Sequence, residues 1–432
     1  MIDIIKEKLN EEFTRNIFVV LSGSTAALAL PIIGSLWLTR LYSPALDFTP
    51  LTLFVGFCYT LSALGNSHYI SAILVADSDE DSSKLFSLSM LIDAFLTLVI
   101  FLVIFLFIDK IIAYFNAANT FYYTIWFIPL TFFVMGLNAA FTQWAYRCKE
   151  YKIISANRAF RAFVTVLLQT FFGVYFKNTQ GLIIGFSIGN LIALLLLTYR
   201  CIKLDKTLLS MNNFNGLRQL AIKYKVFLKF QTFSDVINTV TQQLPNFLLA
   251  KFAINPADLG LYGQANRVIM APSSLITGSV ADVFKQKAND DFRKNGNAIA
   301  IFKKTRKLLF FVMIIPCLII AVFAPSIFTF LFGEEWRESG VYAQIIMIMV
   351  FPKFIVSSLS YMYIIARKQR EDFYLHIYVL GSTLLSFYIG YKLFETTEAM
   401  LLLFSINYAV IYGIYYVRSY KFAQGNLMNN EK

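Results

Sequence analysis

Five polar side chains, Gln231, Asp235, Asn238, Gln242 and Asn246, recur at spacings of 4, 3, 4 and 4 in an otherwise apolar stretch. On an α-helix this spacing puts them in one narrow sector. Such a stripe can line a polar passage, with Asp235 placed to take up a proton or a sodium ion. It can also hydrogen-bond neighbouring helices. Five polar groups exceed what packing needs, which favours the passage. Arg267 shares a helical face with Gln264, Ser274, Gly278 and Asp282. It reads either as a cation facing a ligand or as a brace paired with an acid such as Asp235. Lys353, with Ser357 and Ser360 on its face, either points into a lumen or snorkels to an interface, and Pro352 beside it marks a kink or a boundary. Tyr59, Ser62, Asn66 and Tyr69 line one side of another apolar stretch, Arg40 stands at the end of the first, and Asp93, His68 and His376 are further ionisable groups among apolar neighbours. No HExxH, glycine-rich phosphate loop or Cys/His cluster occurs, and Cys58, Cys148, Cys201 and Cys317 lie far apart. Catalytic residues, metal ligands and cofactors are therefore not expected.

The elements that carry these residues follow from composition. Of 432 residues, 57% are hydrophobic and 15% charged. That is too much apolar surface for a soluble chain of this size. Each membrane-spanning helix takes about 20 apolar residues. Twelve such stretches fall near 17–39, 49–75, 85–108, 121–145, 159–176, 181–202, 230–252, 259–283, 308–332, 341–366, 373–391 and 398–417. The runs are continuous and do not alternate with period two, which excludes a β-barrel. The expected fold class is an all-α integral membrane protein of about twelve transmembrane helices.

Placing the N-terminus in the cytoplasm puts 30 of the 38 Lys and Arg residues on the cytoplasmic side or at cytoplasmic span ends and six opposite, with only Arg267 and Lys353 deep inside spans. This asymmetry predicts that both termini are cytoplasmic, and it accounts for the net charge of +12 without nucleic acid. Two cytoplasmic loops are long and basic, 204–229 and 285–307. In the first, Phe214, Leu217, Ala221, Tyr224 and Leu228 recur at helical spacing, which suits either an interfacial helix or a plain basic linker. The acidic run Asp77 to Asp81 has Ser82 where a calcium loop requires Gly and Leu88 where it requires Glu, so it reads as a solvated turn.

An internal repeat divides the chain. RLYSPALDF (40–48) follows the first span, and KFAINPADLGLY (251–262) follows the seventh. Six spans therefore precede the linker and six follow it, giving an N-terminal six-helix bundle over 1–203, a linker over 204–229 and a C-terminal bundle over 230–432. An even number per half makes the repeats parallel, about an axis along the membrane normal.

RLYSPALDF, NPADLGLYGQANRVIMAPSSLITGSV (255–280), FGEEWRESG (332–340) and LSYMYIIARKQR (359–370) together resemble the Wzx-like polysaccharide-biosynthesis flippases. These belong to the multidrug/oligosaccharidyl-lipid/polysaccharide exporter superfamily. The first copy of the family motif usually continues Asp-Phe-Gly, whereas here Thr49 and Pro50 follow Phe48. The resemblance implies two six-helix bundles around a central cavity, working by alternating access and coupled to an ion gradient. It implies an undecaprenyl-pyrophosphate-linked oligosaccharide as substrate, moved from the cytoplasmic to the periplasmic leaflet of a bacterial inner membrane, as in lipopolysaccharide O-antigen or capsule synthesis. Membrane lipids, a polymerase and glycosyltransferases of the same pathway are the implied partners.

On that footing Arg267, whose fork matches phosphate oxygens, and Lys353 suit the pyrophosphate, while Arg40, at a span end, reads as a gate residue on the substrate path or as a snorkelling anchor. Gln231, Asn238, Gln242, Asn246, Gln264, Tyr59 and Asn66 suit sugar hydroxyls. A drug or metabolite antiporter of the same superfamily would share the fold but want a smaller pocket. A membrane polymerase or glycosyltransferase would need a large catalytic loop on the periplasmic side, and the loops expected there are all short.

Overall fold

The computed structural model describes residues 23–65, 69–76, 78–115, 119–176, 179–204, 216–224 and 232–425. Among them no strand occurs. In chain order the helices are α1 (Gly23–Leu41), α2 (Thr49–Gly65), α3 (Tyr69–Val75), α4 (Asp79–Tyr114), α5 (Asn119–Thr124), α6 (Phe127–Arg147), α7 (Tyr151–Phe176), α8 (Thr179–Leu204), α9 (Leu217–Lys223) and α10 (Thr232–Phe252). There follow α11 (Asp258–Asn295), α12 (Ile299–Phe332), α13 (Arg337–Leu359), α14 (Met362–Ile365), α15 (Gln369–Phe394) and α16 (Thr397–Ala423). Among the described residues ten spans are long and apolar enough to cross a membrane. The two remaining long helices, α10 and α11, occupy the expected seventh and eighth spans and miss that standard because they carry the polar stripe and Arg267. Helix α13 continues through Pro352 to Leu359, so the proline does not end the span.

The chain divides into two compact units, Met1–Tyr42 with Pro50–Gln243, and Ser43–Thr49 with Leu244–Lys432. In the first, α7 packs along α8, and α6 packs against α4 and α8. Near the basic end its core gathers Phe86, Phe141 and Trp144, with Phe86 edge-on to Phe141 at 4.9 Å. In the second, α13 is central and packs against α11, α12 and α16. Its largest fully buried side chains include Trp336 and Tyr342.

The repeated turns use their acids alike. Asp47 accepts the backbone N–H of Ser43 at 2.9 Å, and Asp258 accepts that of Asn255 at 3.2 Å. The Ser43 hydroxyl caps Leu46 N–H, and the Asn255 amide oxygen caps Ala257 N–H. The first copy holds one extra residue, Leu46, and takes it up as a π-helical turn over Pro44–Phe48. Thr49 stands where the second copy has Gly260, and its hydroxyl accepts the Gly260 N–H at 3.0 Å. A Cβ on Gly260 would lie 2.2 Å from the Pro44 carbonyl oxygen, so only glycine fits there. The departure from Asp-Phe-Gly thus has a local physical role.

A second pair of equivalent turns ends α6 and α14. Lys149 and Arg367 both have φ of 58°. Each donates its N–H three residues back, to Tyr146 and Ile364, and the next residue donates five back, to Ala145 and Tyr363. This is the Schellman arrangement, with a basic residue at the position usually held by glycine.

Two expectations need correction. The segment 285–307 is not a long loop, because α11 runs to Asn295 and α12 starts at Ile299. Its charges are compatible with helix because they sit beyond the apolar stretch, and Gly296, at φ 70°, makes the short turn. The acidic run is not merely solvated. Ser78 caps α4, while Asp79 pairs with Arg147, Glu80 with Lys84, and Asp81 with Lys223. The Lys223 pair belongs to α9, the helical part of the linker, which buries Leu220 and Tyr224 in the core of the first unit. Tyr69 donates its hydroxyl to the Ala221 carbonyl at 3.0 Å. Phe214 and Leu228 lie outside the described residues.

Candidate functional site

Helices α11 and α13 run side by side in the second unit. Ser339 donates to Leu261 O and Ser358 to Thr277 O, each at 2.9 Å, which fixes their parallel register. Interpolating between these ties sets Lys353 about two turns, roughly 10 Å, closer to the basic end than Arg267. The structure thus brings the two intramembrane cations onto neighbouring helices at staggered depths.

Along α11 the polar face opens progressively. Gln264 is 1% exposed, Arg267 is half-buried and engaged by neighbouring groups, and Ser274, Gly278 and Asp282 are exposed. Among the described residues neither the oxygen nor the nitrogen of the Gln264 amide has a hydrogen-bond partner. Along α13 the same change occurs. Tyr342 and Ile346 are buried, Lys353 is half-buried, and Ser357 is exposed. Among the described residues Lys353 has no hydrogen-bond or ion-pair partner. Pro272 and Pro352 lie in these two helices, where each removes one intrahelical backbone bond.

On α10, Asn238 and Gln242 are exposed, and the Gln242 amide donates to Asn238 Oδ1 at 3.1 Å along the same helix. Among the described residues no other helix packs extensively along α10. Asn246, further along, is half-buried and has contacts of its own. Gln231 and Asn66 lie outside the described residues, and Asp235 falls in the first turn of α10. In the first unit Tyr59 is 45% exposed on α2, and Arg40 is exposed at the end of α1.

Among the described residues three acids are buried: Asp47, engaged in its own turn, Asp258 and Asp93. Asp258 is fully used: it accepts from Tyr342 at 2.8 Å, from the Thr397 hydroxyl, and from its own turn. Asp93, on α4, is 0% exposed, and among the described residues neither carboxylate oxygen has a hydrogen-bond partner. It sits against Gly65 and Gly136, where a Cβ on Gly136 would come within 2.4 Å of Oδ2. The sequence signal for Asp93 was its charge within a long apolar run. For Asp258 it was the repeat, which showed the acid but not its partners. Among the described residues no cluster of His, Cys, Asp and Glu could hold a metal.

The description "polysaccharide biosynthesis protein" matches residues 37–341, which is most of the chain. The chain belongs to the polysaccharide biosynthesis protein family. No curated protein matches the sequence. Solved structures share the fold of this family member. An inward-facing multidrug resistance MATE family transporter of the MOP superfamily is 12% identical, with 95% of this chain and 99% of that chain covered at a TM-score of 0.73. The lipid II flippase MurJ, in an inward closed conformation, is 16% identical, with 94% and 86% covered, also at 0.73. A MOP superfamily transporter from Pyrococcus furiosus is 11% identical, with 94% of each chain covered at 0.62. The fold is thus that of membrane transporters, and the protein is a multi-pass membrane protein.

Proposed function

We propose that this protein flips an undecaprenyl-pyrophosphate-linked oligosaccharide from the cytoplasmic to the periplasmic leaflet of the bacterial inner membrane. Both termini are cytoplasmic, and transport proceeds by alternating access coupled to an ion gradient. The exposure of Asn238 and Gln242 on a membrane-embedded helix carries this reading. Exposed amides are costly against lipid, so they line an aqueous path. Amides along that path exchange hydrogen bonds with sugar hydroxyls, in company with Gln231, Asn246, Gln264, Tyr59 and Asn66. Arg267 and Lys353, at two depths, and Arg40 hold the pyrophosphate. Asp235 is the ion-coupling carboxylate. The family membership and the MurJ-like fold both support a lipid-linked glycan as cargo. The likeness to a multidrug transporter supports a second reading, a drug antiporter on the same fold.

Translocation of undecaprenyl-pyrophosphate oligosaccharide in proteoliposomes separates the two. Arg267→Ala is expected to weaken apparent substrate affinity about 10- to 100-fold, the worth of a charged hydrogen bond to phosphate. Unchanged translocation by this variant would remove Arg267 from the substrate path. Cation-drug efflux by the native chain without any lipid-linked oligosaccharide transport would favour the antiporter.

A further inference from the structure

A second, separate cleft opens between α12, α13 and α16, with a volume of about 530 Å³. Its walls are apolar: Phe310, Phe351, Ile355 and Val356 on α12 and α13, with Ala409 and Gly413 on α16. Phe310 and Phe351 meet edge-on at 5.7 Å and form its floor. Two cations, Arg306 and Lys307, stand at the mouth at the basic end. Arg306 donates to the Tyr416 hydroxyl at 2.7 Å, which holds the guanidinium over the opening.

Three observations decide what fills it. The cleft lies on the outer, lipid-facing side. Phe311, Ile315, Val410, Ile414 and Val417 around it are all exposed, and Lys353 and Ser357 are on the opposite face of α13. An apolar groove at that depth takes an acyl chain or another helix, and the two cations at its mouth favour a lipid, which matches both the groove and the charge. The mouth lacks an acid. Arg147, Lys223 and Lys285 have carboxylate partners, whereas among the described residues neither Arg306 nor Lys307 has one. Gly413 has nothing within 4 Å of where a Cβ would be, so the groove is open along α16. From Tyr416 to Ala409 it extends about 10 Å, two helical turns below the cations.

We propose that this cleft binds an anionic phospholipid of the leaflet at the basic end, with its phosphate on Arg306 and Lys307 and one acyl chain between Phe310, Phe351 and Gly413. Basic pockets between transmembrane helices bind acidic headgroups in this manner, and each cation near the surface strengthens binding about five-fold. The site is distinct from the substrate residues, and its placement on the outer side rests in part on the proposed facing of Lys353 toward the passage.

Native mass spectrometry of the full-length chain, titrated with phosphatidylglycerol, tests the proposal. The Arg306→Gln/Lys307→Gln double variant should bind about thirty-fold more weakly. Gly413→Phe, which fills the groove without changing charge, should also weaken binding. Lys152→Gln/Lys203→Gln, an equal charge change at exposed positions on α7 and α8, which do not line the cleft, should not. The proposal is overturned if this control weakens binding as much, if phosphatidylcholine binds as tightly, or if undecaprenyl phosphate displaces phosphatidylglycerol on equal terms. It is overturned likewise if the chain proves to be a dimer whose partner covers the cleft.

Discussion

Arg267 and Lys353 are cations deep inside the expected spans, and their surroundings differ. Arg267 is engaged by neighbouring groups, whereas Lys353 is half-buried with no partner among the described residues. A partly desolvated, unpaired ammonium lowers stability and is retained where it meets a ligand. Lys353→Met is therefore expected to gain about 1 kcal/mol of stability, read as a rise in Tm of roughly 2 °C, while translocation falls. Lys353→Arg should keep transport. A methionine variant that transports normally would place Lys353 outside the substrate path. Asp93 makes the complementary case. Gly136→Ala should cost about 1–3 kcal/mol, because the new methyl meets the Asp93 carboxylate. Asp93→Ala should relieve the collision, so the double variant should melt above Gly136→Ala alone. Polar residues in apolar runs were legible in the sequence because their cost in a membrane is high whatever the fold. The partners were not legible. Asp258 is satisfied by Tyr342 and Thr397, 84 and 139 residues away, and no local pattern shows that.

At the scale of elements, the twelve expected spans correspond to twelve long helices or helix pairs, because continuous apolar runs have one solution in lipid. Their ends were less legible. Helices α4, α11 and α12 run well beyond their apolar stretches into charged sequence, which hydropathy alone reads as loop. The linker helix was visible as a periodicity, but its docking through Leu220, Tyr224 and the Asp81–Lys223 pair depends on residues far from it in sequence. The repeat was the strongest element-scale signal, and it locates a sharp prediction. At Gly260 a Cβ would meet the Pro44 oxygen at 2.2 Å and the Thr49 nitrogen at 2.9 Å, both backbone atoms that cannot swing aside. Gly260→Ala should therefore cost about 2–3 kcal/mol, measured as lost thermal stability of the purified chain. Gly278→Ala, on the same helix with open space around it, is the control and should be neutral or slightly stabilising. Equal stability of the two variants would mean that the paired turns are not packed as described.

Across the whole molecule, charge does what no single residue can. Helix α12 shows the polarity within one element: Lys303, Lys304, Arg306 and Lys307 cluster at its start, while Glu334 and Glu335 follow its end. Its 34 residues span about 50 Å, enough to cross the hydrocarbon core and carry the basic turn beyond it. The flanks of α12 thus differ in charge, and the excess of Lys and Arg at its start is the ground for the cytoplasmic orientation proposed above. Cysteine labelling tests this orientation. On a background with Cys148 and Cys317 changed to Ala, Asn295→Cys and Glu335→Cys place single exposed thiols at the two ends, since Cys58 and Cys201 are buried. In cells with a permeabilised outer membrane, a membrane-impermeant maleimide should label Glu335→Cys promptly and Asn295→Cys only after lysis. The opposite pattern would invert the topology, and with it the direction of transport proposed here. Labelling of both before lysis would show that the basic asymmetry does not fix one orientation in this chain.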